Sequence, residues 1–252
     1  MIKRRIEIGQ TAATIICEDD YFRRVVRGIS RARRELERYI GDYHPEFLFS
    51  LEPIEPRADA PEIVENMCLS SSKAKVGPMA AVAGAIAEAG VKSALKAGSR
   101  HCIVDNGGDI AMVLDRPINV GILDRLESDR IPTVEIGPTD GAILGLCTSS
   151  GQFGHSISFG QAEAATVMAE KPTLADAFAT KLGNACKDRI SLQQAFESLS
   201  GIDEVVWAIA RVDGSIGTLG NPPNLRYCNR DAENITVHSY FPRGIINEME
   251  ER

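Results

Sequence analysis

The segment that most constrains the fold runs over residues 141–185. An apolar run at 143–147 leads into a polar loop with two glycines at 148–154, and a second apolar run at 164–169 precedes Pro172. Short apolar runs bounded by turn residues predict buried strands, and a proline followed by a periodic segment predicts the first turn of a helix. Together with similar patterns elsewhere, this predicts an α+β protein, built mainly of antiparallel strands with helices packed on the sheets.

The predicted helix carries Asp176 and Thr180 four residues apart, and therefore on one face. A carboxylate and a hydroxyl near a helix N-terminus can hold a hard cation through oxygen atoms, and Mg²⁺ usually brings a phosphate with it. The structural alternative is a capping box, because Thr173 and Asp176 have the required spacing and Asp176 would then only close the helix start. The sequence leaves both interpretations open.

Other segments give further expectations for secondary structure. Residues 4–17 alternate weakly and predict a first strand, residues 63–67 predict a turn of helix, and residues 191–199 predict a full helix. Residues 204–212 and 215–219 predict a hairpin around Asp213 and Gly214, and residues 235–240 predict a last strand. We expect one domain over 1–252, with a subdivision only near the four-proline segment 45–61 and a frayed end at 247–252.

Composition excludes several classes of partner. The net charge of −7 argues against a nucleic-acid surface, and the arginine-rich segment 23–38 is interleaved with Glu35 and Glu37, which favours a solvated helix face. No apolar run approaches the roughly 20 residues of a membrane-spanning helix, and no signal-peptide core follows the basic start. The six cysteines form no C-x-x-C pair, which favours reduced thiols. We expect a cytoplasmic protein with neither nucleic-acid nor membrane partners.

A helix rich in alanine and glycine is predicted from Pro78 to Gly98. So many small residues indicate close backbone packing, and the favoured interpretation is close packing of this helix against a sheet. The functional alternative is that its N-terminus, preceded by Ser70, Ser71 and Ser72, faces an anion.

Two polar turns are candidate ligand-binding elements. Two glycines join apolar runs after residue 104, which can mean a hairpin or a backbone that a ligand approaches closely. The loop after residue 147 offers hydroxyls and bare amides, which suit a phosphate or a polar ring edge. The candidate cofactor-binding residues of these two turns are Asn106, Gly107, Gly108, Asp109, Thr148, Ser149, Ser150 and Gly151.

Two side chains flanking the second loop are candidates for catalysis. His155 is a candidate general acid or base, because the charge of imidazole changes near neutral pH. Cys147 could form a thiol–imidazole pair with it, or it could be a small core residue. The sequence gives no distance between them, so both interpretations stay open.

Several of these motifs, in this order over residues 76–219, resemble the ApbE-type flavin transferases, which use Mg²⁺ and FAD to attach FMN to a protein. Residues 106–110 are similar to the family's "GGD" turn, residues 148–151 to its "TSG" loop, and residues 175–180 to its "ADALAT" helix. The resemblance implies an ApbE-like fold with some likeness to tunnelling folds. It implies Mg²⁺ ligation by Asp176 and Thr180, with FAD or FMN as the bound flavin and a protein as partner.

The chain resembles more closely a smaller, cytosolic microbial family related to ApbE, whose hallmarks include residues 76–84 and 147–156. Proteins of this kind are linked to sulfur assimilation into homocysteine, and Cys147 would then carry sulfur. ApbE-type enzymes have a lysine where this chain has residues 80–84, and an Asp-Pro after the histidine where it has residues 156–160.

Two functions follow as hypotheses. The first is an enzyme or enzyme component that acts on a phosphate-bearing or small anionic ligand with Mg²⁺. The second is a non-catalytic binding or accessory protein that keeps the scaffold, which the departures from the ApbE pattern favour.

Overall fold

The large sheet is antiparallel throughout and contains strands from both halves of the chain.

The computed structural model describes residues 1–43, 45–122, 130–149, 162–229 and 235–236. The strands are β1 Ile2–Ile8, β2 Thr11–Cys17, β3 Cys102–Asn106, β4 Asp109–Val113, β5 Ile118–Gly121, β6 Arg130–Ile136, β7 Leu144–Ser149, β8 Ala164–Ala169, β9 Val205–Val212, β10 Ser215–Gly220, β11 Arg226–Asn229 and β12 Ile235–Thr236. The helices are α1 Asp19–Tyr43, α2 Glu62–Ala74, α3 Val82–Lys96, α4 Pro172–Ala185 and α5 Ser191–Glu197, and 3-10 turns span Pro45–Leu48 and Pro78–Ala81.

The strands form two sheets. Eight strands follow the order β1-β2-β3-β4-β7-β8-β9-β10, and four follow the order β11-β6-β5-β12, in which β12 runs parallel to β5. The chain leaves the large sheet after β4, builds β5 and β6, and returns at β7. The predicted α+β architecture of mainly antiparallel strands with packed helices is confirmed.

Alternate side chains of the central strands face two different cores, because successive residues of a strand point to opposite faces of the sheet. Val104, Ala111, Val113 and Cys147 belong to the core shared with the helices. The neighbouring residues Ile103, Ile110, Met112 and Leu146 belong to a second core, shared with the small sheet. The result is three layers: helices, large sheet and small sheet.

The helix layer is held at short range by glycines. A Cβ added to Gly28 of α1 would lie 2.6 Å from the carbonyl oxygen of Ala89, and one added to Gly90 of α3 would lie 3.0 Å from Ile29. The alanine-rich helix α3 therefore packs closely, and these close approaches are to α1, although the prediction was packing against a sheet. Among the described helices, none combines the length and the apolar character needed to cross a membrane.

Two expectations for secondary structure were wrong in their bounds. Residues 4–17 form a hairpin of β1 and β2 instead of one strand, with Gly9 at φ +57° in a two-residue turn. The predicted helical turn at 63–67 extends to Ala74, and inside the helix Ser71 Oγ donates to the Cys68 carbonyl (3.0 Å). Of the predicted last strand at 235–240, residues 235–236 form β12 and residues 237–240 lie outside the described residues.

Candidate functional site

The first turn of α4 is clamped between α3 and the large sheet. A Cβ on Gly84 of α3 would lie 2.4 Å from the Pro172 carbonyl oxygen, and a Cβ on Gly145 of β7 would lie 2.3 Å from Pro172 Cα. Real Cβ atoms do not come so close, so glycine is required on both sides of the proline. This contact fixes where the polar face of α4 meets α3.

Asp176 caps the neighbouring helix and not its own. Its Oδ2 accepts a hydrogen bond of 2.8 Å from the Gly84 amide at the start of α3, and the side chain is only 7% exposed. A carboxylate at this position interacts favourably with the positive end of the α3 dipole.

The capping-box alternative does not describe this helix. Lys171 is the N-cap of α4 and makes no side-chain capping bond. The hydroxyl of Thr173 donates to Glu88 Oε2 of α3 at 2.6 Å, and its amide donates to the same oxygen at 3.2 Å. Thr173 and Asp176, the two residues of the expected capping box, therefore both form hydrogen bonds from α4 to α3.

Thr180 lies one turn after Asp176 and faces the backbone just before α3. Its Oγ1 is 3.4 Å from the carbonyl oxygen of Ala80, which is long for an O–H···O hydrogen bond. The hydroxyl is therefore weakly engaged. Asp176, Thr180 and the Ala80 carbonyl bring three kinds of oxygen to one region.

The β3–β4 turn docks on the same region. Gly107 and Gly108 have φ values of +70° and +120°, and Asp105 Oδ1 accepts a bond of 3.1 Å from the Gly108 amide. Asn106 Nδ2 donates to the Ala83 carbonyl at 3.1 Å, so the turn is tied to the start of α3. The predicted hairpin turn is therefore also part of the candidate site.

Asp109 opens β4 opposite Cys147 of β7. Burial and then the charge of Asp176 raise the pKa of the Asp109 carboxyl well above its ordinary value. Burial also raises the pKa of Asp176 to about 7, although the Gly84 and Ala83 amides favour the ionised form. Two carboxyls in one poorly solvated place cannot both ionise cheaply, so the pair either retains a proton near neutral pH or is neutralised by a cation.

Cys147 is fully buried, and its Sγ lies 3.5 Å from the Pro172 carbonyl oxygen as a donor. Burial, together with the charges of Asp109 and Asp176, raises the pKa of the thiol well above its ordinary value. The thiolate is the nucleophilic form, so this environment argues against a reactive Cys147.

The hydroxyls at the end of β7 face the sheet and α4. Thr148 and Thr166 share a hydrogen bond of 2.9 Å between their Oγ1 atoms, and the Thr148 amide donates to the Gly108 carbonyl at 3.2 Å. Ser149 lies against Gly183, where an added Cβ would come within 3.1 Å of Ser149 Oγ. The predicted residues Ser150, Gly151 and His155 lie outside the described residues, so the thiol–imidazole pair stays a prediction.

The region offers oxygen atoms to a cation and no preformed cage. In the described ranges, no three His, Cys, Asp or Glu side chains are grouped so that they could hold a metal. A cation here would depend on Asp176, Thr180, a backbone carbonyl and a ligand or water, which is the kind of partial site that Mg²⁺ uses.

Sequence reasoning missed the partners that define this region. Gly84, Ala80 and Glu88 were treated as parts of an alanine-rich helix. The one available signal was a glycine three residues into a helix that otherwise favours alanine, which indicates close approach of another element.

The arrangement of helices and sheets is similar to that of solved ApbE flavin transferases. The apo flavinyl transferase ApbE of Pseudomonas stutzeri aligns with a TM-score of 0.57 at 11% identity over 86% of this chain and 93% of that one. The ApbE protein of Thermotoga maritima aligns with a TM-score of 0.61 at 11% identity over 86% and 96%. These likenesses establish an ApbE-like fold.

The family follows from sequence similarity. The family described as "AbpE bacteria" matches residues 5–203, and the chain belongs to it. A UPF0280 protein of Methanocella arvoryzae is 43% identical over 232 residues, covering 92% of this chain and 94% of the relative. A UPF0280 protein of Archaeoglobus fulgidus is 38% identical over 241 residues, covering 94% and 99%. The expected membership of an ApbE-related family is confirmed.

Proposed function

We propose that this protein binds Mg²⁺ together with a phosphate-bearing ligand, a flavin nucleotide of the FAD or FMN type, and acts on it as an enzyme or enzyme component. The observation that carries this proposal is the meeting of Asp176, Asp109 and the start of α3 in one poorly solvated region. The raised pKa values of both carboxyls indicate an electrostatic cost that a divalent cation would remove.

Asp176 and Thr180 are the proposed metal-holding side chains, and the Ala80 carbonyl is a third oxygen beside them. The Asp176 carboxylate has about four lone-pair sites, so it can accept from backbone amides and still face a cation. Neighbouring ligands of an octahedral Mg²⁺ lie about 3 Å apart, given bond lengths of about 2.0–2.1 Å. The observed 3.4 Å between Thr180 Oγ1 and Ala80 O needs only a small adjustment.

The remaining residues would bind and orient the ligand. Residues 106–109 present two glycines with positive φ and are tied to the start of α3 through Asn106, and residues 148–151 would supply hydroxyls. Bound Mg²⁺ would neutralise phosphate charge. His155, which lies outside the described residues, is the proposed acid or base.

The solved ApbE structures support the flavin ligand through the fold alone, because their identity to this chain is low. The proposal that a protein receives a flavin group also rests on the fold alone. Sulfur assimilation to homocysteine is the role implied by resemblance, but burial and the raised pKa of Cys147 disfavour its thiol as a sulfur carrier.

The second candidate is a non-catalytic ligand-binding or accessory protein. Residues 80–84 lack the lysine of the flavin transferases, and they are occupied by contacts to Asp176, Asn106 and Thr180. Ligand binding without turnover would favour this candidate.

A thermal-shift titration tests the proposal. Purified protein is treated with EDTA and then titrated with FAD, FMN and ATP, each with and without Mg²⁺. Ligands that bind only the native state raise the melting temperature. We expect a Mg²⁺-dependent increase with FAD that is absent in Asp176→Asn. An equal increase without Mg²⁺, or none with either flavin, would overturn the proposal.

A further inference from the structure

The outer face of α1 carries a row of arginines. Arg24, Arg27, Arg31 and Arg34 follow each other at spacings of three and four residues, which places them on one side of the helix. All four are exposed. The whole chain has a net charge of −7, so the rest of the chain is more negative still.

Packing does not account for this row. The apolar face of α1, with Val25, Ile29 and Leu36, is already buried in the helix-side core. Its partly buried apolar residues, such as Val26 and Ile40, pack against the same core. The arginines therefore either face only water or bind a negatively charged partner.

Ion pairs within the chain account for little of it. Arg31 lies 3.9 Å from Glu35, and both side chains are largely solvated, at 62% and 42% exposure. For Arg24, Arg27 and Arg34, no carboxylate among the described side chains comes within 4.0 Å. A solvent-exposed pair contributes about 0–1 kcal/mol, so even Arg31 remains available to a ligand.

The row forms one wall of a groove whose other wall is the C-terminal end of α3. The groove has a volume of about 770 Å³ and is also lined by Lys96, Ser30 and Ser93. An added Cβ on Gly28 would lie 2.5 Å from Ser93 Oγ, so the glycine lets the two helices close the base of the groove. Glu62 is the acidic residue that interacts electrostatically with Lys96 and Arg31, and its carboxylate already forms an ion pair with Lys92.

We propose that this groove binds a chain of phosphates, such as tripolyphosphate or the triphosphate of a nucleotide. The guanidinium group is a planar fork that matches phosphate oxygens, and five cations with two hydroxyls surround one ligand-sized space. The described residues that line the groove include no aromatic side chain on which a base could stack. Recognition should therefore depend on the number of phosphates and not on the base.

Other occupants fit less well. The arginine row spans about 15 Å at 1.5 Å per residue, so a long nucleic acid would extend beyond it, and the chain outside the row has a net negative charge. A symmetric dimer through this face would place arginines against arginines, since a two-fold interface pairs the same patch with itself. A short polyanion avoids both costs.

The groove is separate from the region of Asp176. Gly84 and Lys96 are twelve residues apart on α3, or about 18 Å along the helix. Binding in the groove needs no metal ligand. EDTA therefore silences the proposed Mg²⁺ site while leaving this one, so the two proposals fail independently.

The test is isothermal titration calorimetry in EDTA at low salt. Wild type, Arg27→Gln/Arg31→Gln and the charge-matched control Arg5→Gln/Arg226→Gln are titrated with tripolyphosphate, ATP, GTP and AMP. We expect the two nucleoside triphosphates and tripolyphosphate to bind within about three-fold of each other, and AMP at least about ten-fold more weakly. The groove variant should lose at least about ten-fold in affinity and the control should lose little.

Binding of tripolyphosphate should also weaken with added salt, because its partners are solvated charges. Three results would overturn the proposal. The first is that wild type does not bind tripolyphosphate, and the second is that it binds ATP but not tripolyphosphate. The third is that the groove variant and the control lose equal affinity. A duplex DNA or an acidic peptide that binds at least about ten-fold more tightly than tripolyphosphate would replace it with another class of partner.

Discussion

Gly84→Ala is the substitution that most sharply tests how α3 and α4 meet. The new Cβ would lie 2.4 Å from the Pro172 carbonyl oxygen and 2.8 Å from Asp176 Cβ. Neither obstacle is the end of a flexible side chain, so relief requires the two helices to separate. Separation would also lengthen the 2.8 Å bond from the Gly84 amide to Asp176.

The expected magnitude combines three effects. Overpacking a filled site costs about 1–3 kcal/mol. Weakening a buried hydrogen bond to a charged group costs up to about 1.5–3 kcal/mol. Replacing a helical glycine by alanine offsets about 0.5–1 kcal/mol of this. The net loss should be about 2–4 kcal/mol in the free energy of unfolding.

The measurement is urea denaturation followed by circular dichroism, with the slope of the transition compared between variants. The matched control is Gly41→Ala on α1, where an added Cβ meets nothing within 4 Å. The control should be stabilised by about 0.5–1 kcal/mol, through helix propensity alone. A Gly84→Ala protein as stable as the control would refute the proposed contact between the helices.

Three further predictions concern the site. Burial raises the pKa of Asp176 from 3.8 to about 7, so in metal-free protein the stability due to its protonated form is present below about pH 4 and is lost as pH rises through 7. The free energy of unfolding of Asp176→Asn, relative to that of wild type, should therefore increase between pH 5 and pH 8, by about 4 kcal/mol at most. Melting experiments over this range would test this, and a difference between the two proteins that does not change with pH would contradict it. Cys147 should resist alkylation by iodoacetamide in native protein while the partly exposed Cys228 reacts, as peptide mass spectrometry would show; equal rates would mean that the buried thiol is accessible. Thr180→Val should reduce Mg²⁺-dependent ligand binding at least about ten-fold and change the melting temperature little, because its hydrogen bond is long; unchanged binding would remove Thr180 from the metal site.

Local patterns were enough for much of the fold. The helix from Pro172, the strands on either side of the 150–161 segment and the hairpin around Asp213 and Gly214 all depend on residues near one another in sequence. The first strand failed for a local reason as well. A two-residue turn at Gly9 barely interrupts the alternation of the two strands that it joins.

The site was only half predictable. The shared face of Asp176 and Thr180 follows from helical spacing, and it is correct. The partner of Asp176 is Gly84, which is 92 residues away, so its role depends on tertiary packing that a capping pattern does not contain. The raised pKa values also arise only when β4 and α4 bring Asp109 and Asp176 into one poorly solvated region.

The central claim is that Asp176 makes flavin binding depend on Mg²⁺. The most direct measurement is a titration of EDTA-treated protein with FAD, followed by flavin fluorescence anisotropy, with and without Mg²⁺, in wild type and Asp176→Asn. We predict that Mg²⁺ tightens binding to wild type at least about ten-fold and has no effect on the variant, which keeps its fold. Equal tightening in both proteins, or none in wild type, would contradict the account.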